Sequence, residues 1–154
     1  MCSEHVYLTM KNTGVFMIEE HAQEIAEQWL TQAAESAGQK DLKLHMGMIS
    51  KRISLEGVPG FDNIDYDAWY KQCRHQFENA MIKSIGYKGF NLISSTDTQI
   101  IFSVFEAVMG TDGTLNEQII EMSLEKEDDG VWRLVLERVL IENDDMRNHE
   151  LSKK

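Results

Sequence analysis

Residues 115–141 read LNEQIIEMSLEKEDDGVWRLVLERVLI, and the fold is decided in this stretch. In its first half Ile120, Met122 and Leu124 alternate with Ile119, Glu121, Ser123 and Glu125. In its second half Trp132, Leu134, Leu136 and Leu140 alternate with Arg133, Val135, Glu137 and Val139. Alternation with period two gives a strand one face for a core and one for solvent or a partner. Between the runs lies Glu127-Asp128-Asp129-Gly130, where Asp closes turns through its own side chain and Gly accepts positive φ. The pattern predicts a hairpin of two long strands, each spanning about 33 Å at ~3.3 Å per residue. Strands this long need a sizeable layer across one face.

The rest of the chain supplies that layer. Its 154 residues suit one domain with a real core. A helix is predicted from Ile18 to Ala37, with Ala22, Ile25, Ala26, Trp29, Ala33 and Ala37 on one face and Gly38 as its stop. Asp41 can cap a second, shorter helix that carries His45. A short strand follows at 51–57, with Ile53 and Leu55 inward, and Val58-Pro59-Gly60 ends it. Asp62, Asn63 or Asp65 can cap a third helix with an apolar stripe of Tyr66, Trp69, Tyr70, Cys73, Phe77, Ala80 and Met81. Residues 84–95 and 98–109 form two more strands, the first with Gly86 and Gly89 as sites for a bulge or bend. Residues 1–17 are expected to be a weakly structured arm, 18–142 the domain, and 143–154 a flexible tail.

Charge and composition narrow the function. A net charge of −11 argues against nucleic acid and against anionic membrane surfaces as partners. Cys2 and Cys73 form no spaced framework, which fits reduced thiols in a cytoplasm. No apolar run reaches membrane-spanning length, and the first twenty residues lack the pattern of a secretory signal. His5, His21, His45, His75 and His149 show no paired ligand spacing, and no phosphate-binding glycine loop is present. Neither a metal nor a cofactor is expected.

The element order is helix, helix, short strand, helix, then four long antiparallel strands. It predicts an α+β fold with three helices in the concavity of a strongly curved, mostly antiparallel sheet, a cone with a cavity. That order, the Val58-Pro59-Gly60 break and the acidic turn running into Gly130-Val131-Trp132-Arg133 resemble the SnoaL-like superfamily over residues 18–142. This group includes ketosteroid isomerase, polyketide cyclases, scytalone dehydratase and nuclear transport factor two. The resemblance implies a ligand pocket and, on the outer sheet face, a dimer surface. It places the isomerase's tyrosine at Trp29, its base at Gly57 beside Glu56, and its second acid near Met122. None of these matches, so that mechanism is not expected unless Glu56 serves as the base.

Other residues remain as candidates for chemistry. Arg138 shares parity with Trp132 and Leu134, so simple alternation points it inward, where it needs a partner such as Glu106; otherwise it lies at the rim with its head in water. His45, beside the cavity, is a candidate acid or base, or a satisfied partly buried side chain. Trp29, Tyr66, Trp69, Phe102, Met122 and Trp132 are candidate walls of a pocket for a small apolar molecule, though core packing also accounts for them. Ile119, Glu121, Arg133, Val135 and Glu137 would form the face that pairs two copies. Two functions follow: a lyase, isomerase or cyclase acting on a small apolar ligand, or a non-catalytic dimeric binding module on the same fold.

Overall fold

The computed structural model describes residues 19–141 apart from 59 and 61. The expected N-terminal arm, C-terminal tail, Ile18 and Pro59 lie outside the described residues. Helix α1 (Glu19–Gly38) begins with two glutamates, which suit the positive end of its dipole. It buries Ala22, Ala26, Trp29, Leu30, Ala33, Ser36 and Ala37. Its alanines let the helix axis approach the sheet closely, and the Trp29 indole is satisfied by donating to the Met48 carbonyl at 3.2 Å. Helix α2 (Leu42–Gly47) is capped by Asp41, whose carboxylate accepts from the Leu44 N–H at 3.1 Å. Strand β1 (Ile49–Glu56) follows after a single residue. Helix α3 (Tyr66–Glu78) is capped by Asp65, which accepts from Ala68 N–H at 3.0 Å. Of its apolar stripe, Cys73 and Phe77 are buried, Trp69 is half-buried, and Tyr70 and Met81 are exposed.

Strands β2 (Ile82–Ser95), β3 (Gln99–Gly110), β4 (Leu115–Lys126) and β5 (Trp132–Ile141) form an antiparallel meander. β1 joins its far edge parallel to β5, giving the order β1-β5-β4-β3-β2. The fold is α+β, with a curved five-stranded sheet and helices laid on one face. Ile100, Phe102, Val104, Ile120, Met122, Leu124 and Leu134 are fully buried between the layers.

The acidic turn is held by a cluster of ions. Glu127 accepts from Ser50 Oγ at 2.8 Å, Arg52 at 3.1 Å and Arg133 at 3.0 Å. Arg133 also bonds Asp129 and donates to the Gly47 carbonyl at 2.9 Å. It ties the hairpin tip to the end of α2, so its role in this chain is structural.

β5 departs from simple alternation. Leu124 pairs with Leu134, but Ser123 pairs with Leu136, so Val135 is an extra residue opposite the step between them. Such a bulge inverts the parity of the residues that follow it, as far as a second break in register at Leu140. Glu137 pairs with Met122 and turns inward, while Arg138 pairs with Glu121 and turns outward. The inward expectation for Arg138 is therefore overturned. Its guanidinium bonds Glu121 and Glu56, each at 3.3 Å, on the outer face. Glu56 is thus engaged outside the cavity and cannot serve as a base within it. Val135 and Glu137 are both buried, and neither is available to an outer pairing face.

Gly57, at the end of β1, has φ +80°, and a Cβ there would collide with the Val139 carbonyl oxygen. Positive φ and backbone contact both exclude a side chain. Gly57→Ala is expected to lower the unfolding free energy by about 2–4 kcal/mol in urea titrations. An unchanged midpoint would show that β1 does not close on β5 in this way.

Candidate functional site

The helices and the concave sheet enclose a cavity of about 930 Å³. Its floor carries buried Trp29, His45, Cys73, Phe77, Glu106, Met122 and Glu137; its mouth carries Gln72, Gln76, Asn116 and Glu117. This size suits a drug-sized organic molecule. Among the described residues, no Lys or Arg lines it.

Two carboxyl groups stand inside. Glu106 and Glu137 are each 8% exposed. Glu106 follows the alternation of β3, in which Ile100, Phe102 and Val104 are buried on the same parity. Gln118 donates to it at 2.8 Å. Tyr87, directly opposite on β2, gives it a second side-chain hydrogen bond. Glu137 reaches the cavity because of the Val135 bulge, and no hydrogen bond to its carboxyl occurs among the described residues.

Burial raises the pKa of Glu137 well above the ordinary carboxylate range, and the nearby Glu106 charge raises it further. Burial also raises that of Glu106, but Gln118 and Tyr87 oppose the shift by favouring its charged form. The two therefore titrate as a coupled pair, in which Glu106 ionises first and Glu137 keeps its proton. Tyr87 is pushed up by burial and then by Glu106 and Glu137, so it remains a hydroxyl donor. Cys73 is pushed up to about 11, chiefly by burial; the Trp69 indole opposes this and the Glu137 charge adds to it. Its thiol is protonated and unreactive at neutral pH.

His45 forms the helical side of the site. Ser36 Oγ donates to the Ala33 carbonyl at 3.1 Å, so its lone pair accepts from His45 Nδ1 at 2.7 Å. That arrangement fixes the proton on Nδ1 and leaves Nε2 as an acceptor. Burial lowers the His45 pKa, outweighing a backbone hydrogen bond to Ala33, so the ring is neutral near pH 7. Phe77 meets it edge to face, with ring centroids 5.4 Å apart.

Of the expected catalytic residues, the cavity brings together His45 and Glu106 and leaves Arg138 outside. Of the expected walls, Trp29, Trp69 and Met122 line it. Phe102 is instead fully buried against Phe90, with ring centroids 5.0 Å apart. Tyr66 stacks on Tyr70 and lies under the Lys51 ammonium, 4.1 Å from its ring centroid. Trp132 lines a separate groove beside Glu24, Gln28 and Val131. Glu137, Tyr87 and Gln118 were not expected in the site. Among the described residues, no group of three or more His, Cys, Asp or Glu could hold a metal ion, and no helix is long and apolar enough to cross a membrane.

No protein-family model and no curated protein matches the chain by sequence. Solved structures do match its architecture. An NTF2-like protein of unknown function from Pseudomonas putida KT2440 superposes with a TM-score of 0.66 at 8% identity, covering 81% of this chain and 89% of that one. A protein provisionally named a scytalone dehydratase, from Novosphingobium aromaticivorans DSM 12444, gives 0.62 at 9% identity, covering 79% and 86%. A protein of unknown function with a cystatin-like fold, from Nostoc punctiforme, gives 0.59 at 10% identity, covering 76% and 88%. The chain has the cystatin-like cone fold of NTF2-like proteins; identities this low speak to fold alone.

The glutamate pair links stability to pH. Both groups hold protons more tightly in the folded state than in the unfolded one. As pH rises past about 4.3, the unfolded chain releases protons that the folded chain keeps, so stability falls. His45 acts in the opposite sense, since its lowered pKa makes stability fall as pH drops below about 6.5. Glu137→Gln removes the contribution of Glu137 to the first effect and keeps the second. The stability of this variant relative to the native protein is expected to grow between about pH 5 and 8 in urea titrations. A flat difference would mean that Glu137 titrates as an ordinary surface glutamate.

Proposed function

We propose that the cavity binds a small, largely apolar organic molecule and catalyses proton transfer on it, as a lyase, isomerase or cyclase does. The observation that carries this is the presence of two buried carboxyls of unequal environment on one cavity floor. Pairs whose pKa values are pushed apart supply a base and an acid at the same pH. Glu106, its charge supported by Gln118 and Tyr87, is the base. Glu137, protonated and without a partner, donates to the ligand's polar atom. The apolar walls, including Trp29, Trp69, Phe77 and Met122, take the ligand's body and exclude water. His45 offers a further acceptor, which orients the ligand. The solved structures of this fold include one provisionally named a dehydratase, which supports reaction chemistry of this class on the cone.

The test is carbon–hydrogen exchange in D₂O, followed by NMR, across a panel of small cyclic ketones and imines. The native protein is expected to accelerate exchange in at least one compound, and Glu106→Gln to reduce it by about 10²–10⁴-fold. No acceleration across the panel, or a Glu106→Gln variant as fast as the native protein, would sink the catalytic reading.

The outer face supports a second, compatible reading as a dimeric binding module. Beyond the bulge it presents Leu140, 48% exposed, beside the Arg138–Glu121–Glu56 ion cluster, with half-buried Ile119 on β4. An apolar residue beside opposed charges suits a self-complementary surface. Leu140→Asp is expected to convert dimers to monomers in sedimentation equilibrium. A native protein that is monomeric at all concentrations would remove this reading.

A further inference from the structure

The cavity's polar groups are unbalanced. Glu137 brings two carboxyl oxygens that no described residue engages, although the residue is 8% exposed and lines the cavity. His45 Nε2 is a further acceptor, since its Nδ1 is spent on Ser36. Against these stand few donors at depth. The Tyr87 hydroxyl and the Gln118 amide are committed to Glu106, and the Cys73 thiol is a weak donor. Glu106 and Glu137 are the acidic side chains on the cavity floor, and among the described residues no Lys or Arg lines the cavity. Among the described residues, the polar groups around Glu137 in the cavity are Glu106 from β3, Tyr87 from β2, Cys73 from α3 and His45 from α2, with Met122 opposite it on β4; none is a cation at neutral pH.

We infer that the ligand's polar atom is a basic nitrogen, and that the site takes an amine with an aromatic or alicyclic body, its nitrogen against Glu137. This rests on the proton-transfer reading of the same cavity and specifies its substrate class. An ammonium carries several N–H donors and a positive charge, so it can meet Glu137 and still donate to a further acceptor. An alcohol brings one donor and no charge, and a carboxylate is repelled by the Glu106 charge. The faces of Trp29, Trp69 and Tyr87 add favourable surroundings for a cation. The proton balance is explicit. In the empty cavity Glu137 holds a proton. An amine that is an ammonium in solution leaves one proton to the buffer on entering and takes the Glu137 proton onto its nitrogen, which is the donation that the proton-transfer reading assigns to Glu137. The resulting ion pair is compensated within the cavity, while Glu106 keeps the hydrogen bonds that make it the base.

Isothermal titration calorimetry tests this with three probes that share one body: 2-naphthylmethylamine, 2-naphthylmethanol and 2-naphthoate. The amine is expected to bind about tenfold or more tightly than the alcohol, the naphthoate more weakly than both. Titrations in two buffers of different ionisation enthalpy should show up to one proton released with the amine. In Glu137→Gln the amine's advantage should disappear, with thermal unfolding confirming that the variant is folded. Glu106→Gln should retain a preference for the amine. Equal binding of amine and alcohol, or tighter binding of naphthoate, would overturn the nitrogen inference and leave the cavity reading standing. An amine preference that persists in Glu137→Gln would overturn Glu137 as its partner. Binding of none of the three would overturn this inference and the cavity reading together.

Discussion

Two carboxyls that share a low-dielectric space cannot ionise independently, and the rest of the site is arranged around that constraint. Desolvation acts on both Glu106 and Glu137, so the difference between them comes from their neighbours. Gln118 and Tyr87 aim donors at Glu106, while Glu137 meets none. The asymmetry is built into the sheet. Glu106 sits between β2 and β4, whose facing residues Tyr87 and Gln118 are its cross-strand partners. Glu137 faces Met122 across the β4–β5 ladder, and a thioether offers no donor.

The frame that holds this arrangement lies mostly outside the cavity. The Glu127 cluster fastens the β4–β5 turn to the start of β1 through Ser50 and Arg52, and to α2 through Arg133. The Arg138 cluster fastens the middle of β5 to Glu56 at the other end of β1. Gly57 then lets the chain run against the Val139 backbone before it leaves the sheet. Individual exposed ion pairs contribute little to stability, on the order of 0–1 kcal/mol. Their value here is geometric, since they set the register of a short parallel edge strand on either side of a bulge.

The sequence made the architecture legible because its helices and turns are strongly marked. Asp41 and Asp65 cap where their chemistry predicts, Gly38 ends α1, and the acidic turn closes the hairpin. The site was legible only in part. Glu106 lies on a strand that is apolar on both parities, and only its neighbours across the sheet fix its direction. β5 has the same ambiguity: Trp132 and Leu134 favour one parity, Val135 and Val139 the other, so the pattern cannot reveal where it switches. Tyr87 was hidden by β2. From Ser95 opposite Ile100, unbroken pairing would put Gly89 opposite Glu106. Two breaks in register, one at Gly89 with φ +68°, bring Tyr87 there instead. Phe102 and Trp132 illustrate the converse, since aromatic character in a cone does not say which side chains reach the open space.

The Val135 bulge also has an evolutionary consequence. If Val135 were drawn into regular pairing instead of bulging, Arg138 would lie opposite Ile120 and Glu137 opposite Glu121. The inward set would then carry a guanidinium in place of a carboxyl, and the preferred ligand would change sign. In a cone of this kind the charge of the pocket is a matter of reading distance from the hairpin tip, and a shift of one residue in the pairing of one strand can redirect a lineage toward anions without altering any residue that lines the pocket from the helices.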